Sequence, residues 1–350
     1  MSRVVSFTAP REIAVIEEPQ RELAADEVRI ATLHSGISAG TELTAYRGSN
    51  PYLAKRWDDD VRLFVDGAAT FDYPVTGWGY EEVGVVTELG AAVTTITIGD
   101  HIWGTWGHRT ETVQREARAA ARILPADADP RLGVFSQIGA IALNVVLDAD
   151  IHVGETVAVF GLGVPGQLVA QLARLNGAAV IVVDGIPERR ELAVRLGAEH
   201  ALDPAAGDVA LRIRELTDGR GADAALEVSG NHAALHEAIR SVAYNSRVCV
   251  AGFMQGDAMG LRLGEEFHHN RVQLVCAQIS GVNPSLDHRW NEHRLQRAFM
   301  QQAVAGRVNV LDLISHDFAL DDAAEAFALI DSAPQSVLQV VLSVDHKARS

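Results

Sequence analysis

Apolar positions change their period along the 350 residues. Through the first 110, short β-branched runs alternate with glycine punctuation: Val28 to Leu33 (VRIATL), Val83 to Leu89 (VGVVTEL), and Thr94 to Ile98 (TTITI) followed by Gly99-Asp100. Runs of this length bounded by turn residues predict strands, and together they predict a compact, largely β domain. Between Arg47 and Tyr73 the pattern weakens, interrupted by Asn50-Pro51, Asp58 to Asp60 and Gly67. A structureless connector of that length is uncommon, so the segment reads as partly helical or as a functional loop.

From Thr156 onward strand and helix alternate. Thr156 to Phe160 (TVAVF) is a short apolar strand, and Leu168, Val169, Leu172 and Leu175 recur at helical spacing after Gly166. Ala179 to Val183 (AVIVV) predicts a second buried strand, and Pro187 to Leu196 a second helix opened by a favourable early proline. Leu211 to Leu216 lies in a third helix, Ala222 to Val228 in a strand, His232 to Val242 in a helix, and Ser246 to Phe253 in another strand. This rhythm predicts an α/β fold with a parallel sheet covered on both faces, and right-handed crossovers make it doubly wound. Beyond Val272 to Ile279 the sequence predicts helices at 292–304 and 323–330 and a closing strand at 337–344. The expected division is a first domain over 1–145, a parallel-sheet domain over 146–280, and a tail over 281–350 that completes the first, its last residues 345–350 fraying.

Composition then excludes several functions. The formal net charge is -16, from 46 acidic and 30 basic residues, with no run of Lys and Arg. Such a surface is repelled by phosphate backbones and anionic headgroups, which argues against nucleic acid. The N-terminal MSRVVSFTAP has no apolar core of secretory length, and no later stretch is expected to reach the ~20 apolar residues of a bilayer span, which predicts a cytoplasmic protein without a membrane partner. The two cysteines, Cys249 and Cys276, read as reduced, buried small hydrophobes. They are too few for a disulfide framework or a thiolate zinc lobe.

The segment Gly161-Leu162-Gly163-Val164-Pro165-Gly166 has the spacing GxGxxG. It follows TVAVF directly, opens an apolar-periodic helix, and precedes Asp184 by 23 residues counted from Gly161, at the end of AVIVV. That context is a dinucleotide-binding fingerprint. Gly161 permits the tight turn, Gly163 leaves room for a pyrophosphate, Gly166 lets the helix approach the sheet, and the helix start at Val164 offers unpaired N–H groups. Asp184 accepts from ribose hydroxyls and repels the extra phosphate of NADP, which favours NAD, although Arg189 and Arg190 lie close enough to soften that preference. Ser229-Gly230, after a sheet strand, and Phe253 are expected to border the coenzyme.

Other segments extend the pattern: Gly36-Ile37-Ser38-Ala39-Gly40-Thr41-Glu42-Leu43 with Tyr46-Arg47-Gly48, Gly79-Tyr80-Glu81-Glu82-Val83-Gly84-Val85-Val86, Gly99-Asp100, and Leu320 to Phe327. With the glycine turn they make nearly the whole chain resemble the medium-chain dehydrogenase/reductase superfamily, of the zinc alcohol dehydrogenase type. The resemblance implies a GroES-like β domain and a Rossmann domain with the active site in the cleft between them, a homodimer or homotetramer, and a small-molecule alcohol or carbonyl substrate. In zinc-using members the first motif reads Gly-Ile-Cys-Gly-Thr-Asp and the second Gly-His-Glu. Here the cysteine position falls on Ala39, the histidine position on Tyr80, and a third ligand position near Ser136. The resemblance is therefore to a zinc-lacking branch that includes bacteriochlorophyllide 3-hydroxyethyl dehydrogenases, with no metal expected and no chlorophyll substrate implied.

Without zinc, hydrogen bonds and a general acid or base must do the metal's work. Tyr80, Thr41 and Glu81 are the expected catalytic residues, since the family fold brings their segments together. Tyr80 would donate to a carbonyl oxygen, or accept the proton in reverse if its pKa were depressed; Thr41 would orient or relay; Glu81 would be a base if partly desolvated. Trp57, Phe64, Tyr73 and Trp78 are candidates for an apolar substrate wall. Two further functions remain open on sequence: reduction of an activated C=C bond in an enone or quinone, and non-enzymatic coenzyme binding.

Overall fold

The computed structural model describes residues 1–345, so all of the segment 345–350 expected to fray, except Asp345, lies outside the described residues. The chain divides into two compact units, one built from Met1–Gln137 with Leu311–Ser350, the other from Ile138–Val310. The α/β class with a GroES-like and a Rossmann unit is the architecture observed.

In the first unit the strand Glu27–Ile37 is the organiser. It pairs antiparallel with Glu82–Leu89, with Glu111–Arg115 and with the C-terminal strand Gln339–Ser343, whose Val340 and Leu342 face Ile37 and Ser35. The tail thus completes the N-terminal domain by ordinary strand pairing. Ser2–Ala9 pairs separately with Glu12–Glu18 and Val75–Thr76. Phe7, Ile37, Leu43, Tyr46, Phe327 and Leu342 are buried in one cluster. Phe7 meets Phe327 edge to face with centroids 5.2 Å apart, the arrangement favoured by the ring quadrupoles.

The second unit is a six-stranded, all-parallel sheet. From edge to edge it runs His200–Leu202, Ala179–Val183, Thr156–Phe160, Ala222–Glu227, Val242–Val250 and Gln273–Cys276. The order reverses beside Thr156–Phe160, the strand that feeds the glycine turn, which is where doubly wound sheets bind nucleotides. Phe160, Ile181, Ile213, Leu235, Ile239 and Val248 fill its core.

Several expectations need correction. Thr94 to Ile98 forms no strand. The N–H groups of Thr94 and Thr95 both go to the Glu116 carboxylate instead of a ladder, and Ile96 alone plugs the core. The segment 47–73 is partly helical, and the hairpin in it was not expected: a 3-10 turn Pro51–Leu53 capped by Asn50 leads into paired strands Arg56–Asp58 and Leu63–Val65. Cys249 is buried, but Cys276 is exposed, because it ends the edge strand of the parallel sheet. Residues Pro130–Ala149 are long and apolar enough for a bilayer span, contrary to expectation, yet 83% of that window is buried inside the protein, as in a core helix.

The unit boundaries also differ from 145/146 and 280/281. Ser136–Ala149 is a helix whose Gly139 lies so close to Phe299 of the helix Glu292–Val304 that a Cβ would come within 2.1 Å of the ring. That contact ties both flanking helices to the parallel-sheet unit. Phe299 is fully buried. Phe299→Ala should therefore cost ~3–5 kcal/mol by transfer and cavity terms and lower the urea midpoint. An unchanged midpoint would show that the two helices contribute no packing to this unit.

Candidate active site

The glycine turn is held by contacts that tolerate no side chain. Gly161 has φ 91°, and a Cβ there would lie 2.6 Å from the Cβ of Ser229; one on Gly166 would lie 1.8 Å from the Gly161 carbonyl oxygen. Gly163, by contrast, has only Pro165 Cδ at 3.8 Å, so its side of the turn is a cradle that a Cβ would fill. Gly163 caps the helix Val164–Leu175 without a side chain, which leaves the first-turn N–H groups for a ligand phosphate. Asp184 Oδ2 accepts from Leu162 N–H at 2.6 Å and Oδ1 from Ile186 N–H at 2.8 Å, which welds the end of its strand to the turn.

Gly230, at φ 69°, packs against the Phe253 backbone, and Phe253 is itself half exposed. Ser229 thus meets Gly161, and the Phe253 backbone meets Gly230. Glu227 was not anticipated. Its Oε1 accepts from Ser229 N–H at 2.8 Å and from the Ser229 hydroxyl, and its backbone oxygen takes Ala251 and Gly252 N–H. Burial pushes its carboxyl pKa up, against the hydrogen bonds of this turn. An acid closing the strand ADAALE directly after the apolar run Ala224 to Leu226 was the available signal. Arg190 donates to Asp184 O and to Asp203, whereas the Arg189 guanidinium is desolvated beside Asp184 and its pKa is lowered.

In the first unit, antiparallel pairing sets Ser35 opposite Glu82, and Gly36 N–H bonds Glu81 O at 2.7 Å. The segments 36–42 and 79–82 consequently run side by side. Tyr80 is partly buried, and its hydroxyl bonds Ser38 Oγ closely and donates to Thr41 Oγ1 at a long 3.4 Å. Thr41 precedes the helix Glu42–Arg47 without making a side-chain cap. Ala39 points to solvent, while Ser38 is buried. The side chain that meets Tyr80 is thus Ser38, one residue before the position the motif suggested.

Burial and then the neighbouring Glu81 raise the Tyr80 pKa, so the phenol keeps its proton. The depression that base catalysis would require is absent; the group is arranged as a donor. Glu81 is fully buried, and neither oxygen receives a hydrogen bond. A Cβ on Gly36 would lie 2.6 Å from Glu81 Oε2, so glycine makes the carboxyl's room. Gln339 is adjacent, but its N–H groups go to Ile37 O and Val340 O. Burial, reinforced by Glu42 and Glu82, therefore raises the Glu81 pKa well above the carboxylate range. It is a buried acid just before the strand Glu82–Leu89, in surroundings that favour its protonated form and without the exposure of a working base.

The expected apolar wall is a run of ring contacts: Trp57 with Phe64, Phe64 with Tyr52, Tyr52 with Phe71, and Phe71 with Trp78. Tyr73 stands apart from this run, its hydroxyl donating to Ala45 O.

A catalytic zinc asks for imidazole, thiolate or ionised carboxylate. Ser38 and Tyr80 offer only hydroxyls, Ala39 offers no ligand, and both nitrogens of nearby His108 are already bonded. The set does not fit that ion. Among the described residues, His236, Glu265 and Glu266 form the single group of three with ligand spacing. It belongs to the other unit, and Arg262 and Arg240 already pair with its carboxylates.

The buried acids make a pH signature. Glu81 and Glu82 hold protons more tightly folded than unfolded, so each contributes stability at low pH that is lost as pH rises through the folded value. For Glu82, raised mainly by burial, the window runs from its ordinary 4.5 to about 7; for Glu81 it starts at 4.5 and extends well upward. Glu81→Gln should therefore melt increasingly above the parent as pH rises from about 5 to about 8. A melting difference independent of pH would contradict the buried acid.

A family model described as zinc-binding dehydrogenase matches residues 165–310. D-guloside 3-dehydrogenase of Escherichia coli (strain K12) is 31% identical over 349 residues, covering 97% of this chain and 99% of the relative. Two solved structures share the fold: 2R,3R-butanediol dehydrogenase from Bacillus subtilis (TM-score 0.78, 22% identity, 99% and 100% covered) and an NADP-bound protein from Sinorhizobium meliloti 1021 (TM-score 0.77, 23% identity, 98% and 99% covered). The full-length relative, the glycine turn and the two-unit fold agree. The chain belongs to the zinc-binding dehydrogenase family of medium-chain, alcohol dehydrogenase-like oxidoreductases.

Proposed function

We propose that this protein is a zinc-independent, NAD-dependent dehydrogenase that interconverts a secondary alcohol and a ketone on a sugar, glycoside or other polyol. The observation that carries it is the Tyr80 hydroxyl, a protonated donor on Ser38 where zinc-using relatives have a metal-binding histidine. The guloside and butanediol dehydrogenases named above support the substrate class.

Bound coenzyme supplies the hydride in reduction and takes it in oxidation. The glycine turn, the helix start at Val164 and the Ser229–Gly230 turn are the groups that would hold it. Tyr80 donates its proton to the substrate oxygen, and Ser38 Oγ and Thr41 Oγ1 solvate the phenolate left behind. In the reverse direction the same phenol must first lose its proton, which its burial disfavours, so alcohol oxidation should rise steadily toward alkaline pH. NAD is favoured because the Asp184 carboxylate repels an extra phosphate and the Arg190 guanidinium is engaged with Asp203 and the Asp184 backbone.

Tyr80→Phe should lower the turnover number on the order of 100-fold, the lower range for a general acid, and leave NAD affinity unchanged. Steady-state kinetics with a panel of polyols and glycosides, paired with NAD titration, checks this. Equal turnover in variant and parent removes Tyr80 from the chemistry.

A further inference from the structure

Glu42 and His108 touch no reacting atom, yet both are fully buried and joined in one chain of hydrogen bonds. Glu42 opens the helix Glu42–Arg47. Its Oε1 accepts from Ser38 N–H at 3.0 Å and its Oε2 meets His108 Nε2 at 2.6 Å. His108 Nδ1 meets Ser35 Oγ at 2.6 Å, the Ser35 hydroxyl donates to Glu82 Oε1 at 3.2 Å, and Glu82 Oε2 accepts from Trp106 N–H at 2.6 Å. With Ser35 donating to Glu82, both imidazole nitrogens serve as donors, so His108 is held between the Glu42 carboxyl and the Ser35 hydroxyl, which carries the chain on to Glu82. The groups packed around it are Glu42 from the helix, Ser35 and Glu82 from paired strands, Gly79, and the Phe327 ring at 5.9 Å, with Glu81 and Tyr80 facing Glu42.

Apart from backbone ties at its two ends, Glu42 N–H to Ser38 O at 3.0 Å and Thr44 N–H and Oγ1 to Thr41 O, the middle of the turn this chain grips is open. Ala39 and Gly40 are exposed, and Thr41 makes no side-chain cap. Ser38 and Thr41, at its two ends, are the residues whose hydroxyls meet Tyr80. We propose that Glu42 and His108 are positioning residues, clamping the 38–41 turn so that Ser38 Oγ and Thr41 Oγ1 stay on the Tyr80 hydroxyl. The inference rests on the reading of Tyr80 as proton donor. Removing His108 takes the partner from Glu42 Oε2, so the side chain whose Oε1 accepts from Ser38 N–H is no longer held from its other oxygen.

The test combines kinetics with hydrogen exchange on the full-length enzyme. His108→Gln should lower kcat about tenfold or more, as expected for misplacement beside the chemistry, with NAD affinity unchanged. Glu42→Gln keeps an acceptor for Ser38 N–H and loses only the one for His108; it is the milder variant if His108→Gln fails to fold. Combined with Tyr80→Phe, either variant should produce no further loss, since its effect passes through Tyr80. Exchange in the peptide spanning 36–43 should quicken while peptides of the parallel sheet stay protected. Additive losses in the double variant, or unchanged exchange at 36–43, overturn the proposal. Full turnover in Tyr80→Phe alone would remove the proton-donor reading, and the exchange result would then decide the clamp by itself.

Discussion

A carboxylate taken out of water must find hydrogen-bond donors or take up a proton, and the first unit buries three of them together. Glu42 and Glu82 are each met by a backbone N–H at one oxygen and by the His108–Ser35 link at the other. Glu81, squeezed beside Gly36 and Gln339, has no donor at either oxygen, and its surroundings favour the protonated form instead. The shape of the loops around Tyr80 follows from those three solutions. The Ser38 turn is drawn to Glu42, and the Trp106 backbone is drawn to Glu82.

The parallel-sheet unit uses acids in a related way, as acceptors that fix turns. Asp184 fastens the glycine turn through Leu162 N–H, and Glu227 fastens the Ser229–Gly230 turn. Both turns meet at Gly161, where the absence of a side chain lets Ser229 approach. In the first unit hydroxyls make the corresponding contacts, with Ser38 Oγ and Thr41 Oγ1 on the Tyr80 hydroxyl.

How legible each part was depends on how local its cause is. The glycine turn, its preceding strand and Asp184 are readable because 24 consecutive residues, 161–184, contain the turn, the helix and the acid. Helical material was legible around Glu292 to Val304, where the helix lies. The 94–98 run misled because its alternation was real while its N–H groups were captured by Glu116, 22 residues from Thr94. Glu42, Glu82 and His108 carried no local signal at all. Ser35 and His108 are 73 positions apart, and only strand register brings them together. The same register made Ser38, rather than Ala39, the partner of Tyr80, which a motif read as a string could not indicate.

The account's central claim is that side-chain hydroxyls, with no zinc, handle the substrate's proton. It is tested most directly by measuring the metal content of the purified, active enzyme and its turnover after exhaustive chelation. The account predicts no stoichiometric zinc and an unchanged rate. Tightly bound zinc whose removal abolishes turnover, and whose return restores it, would contradict it.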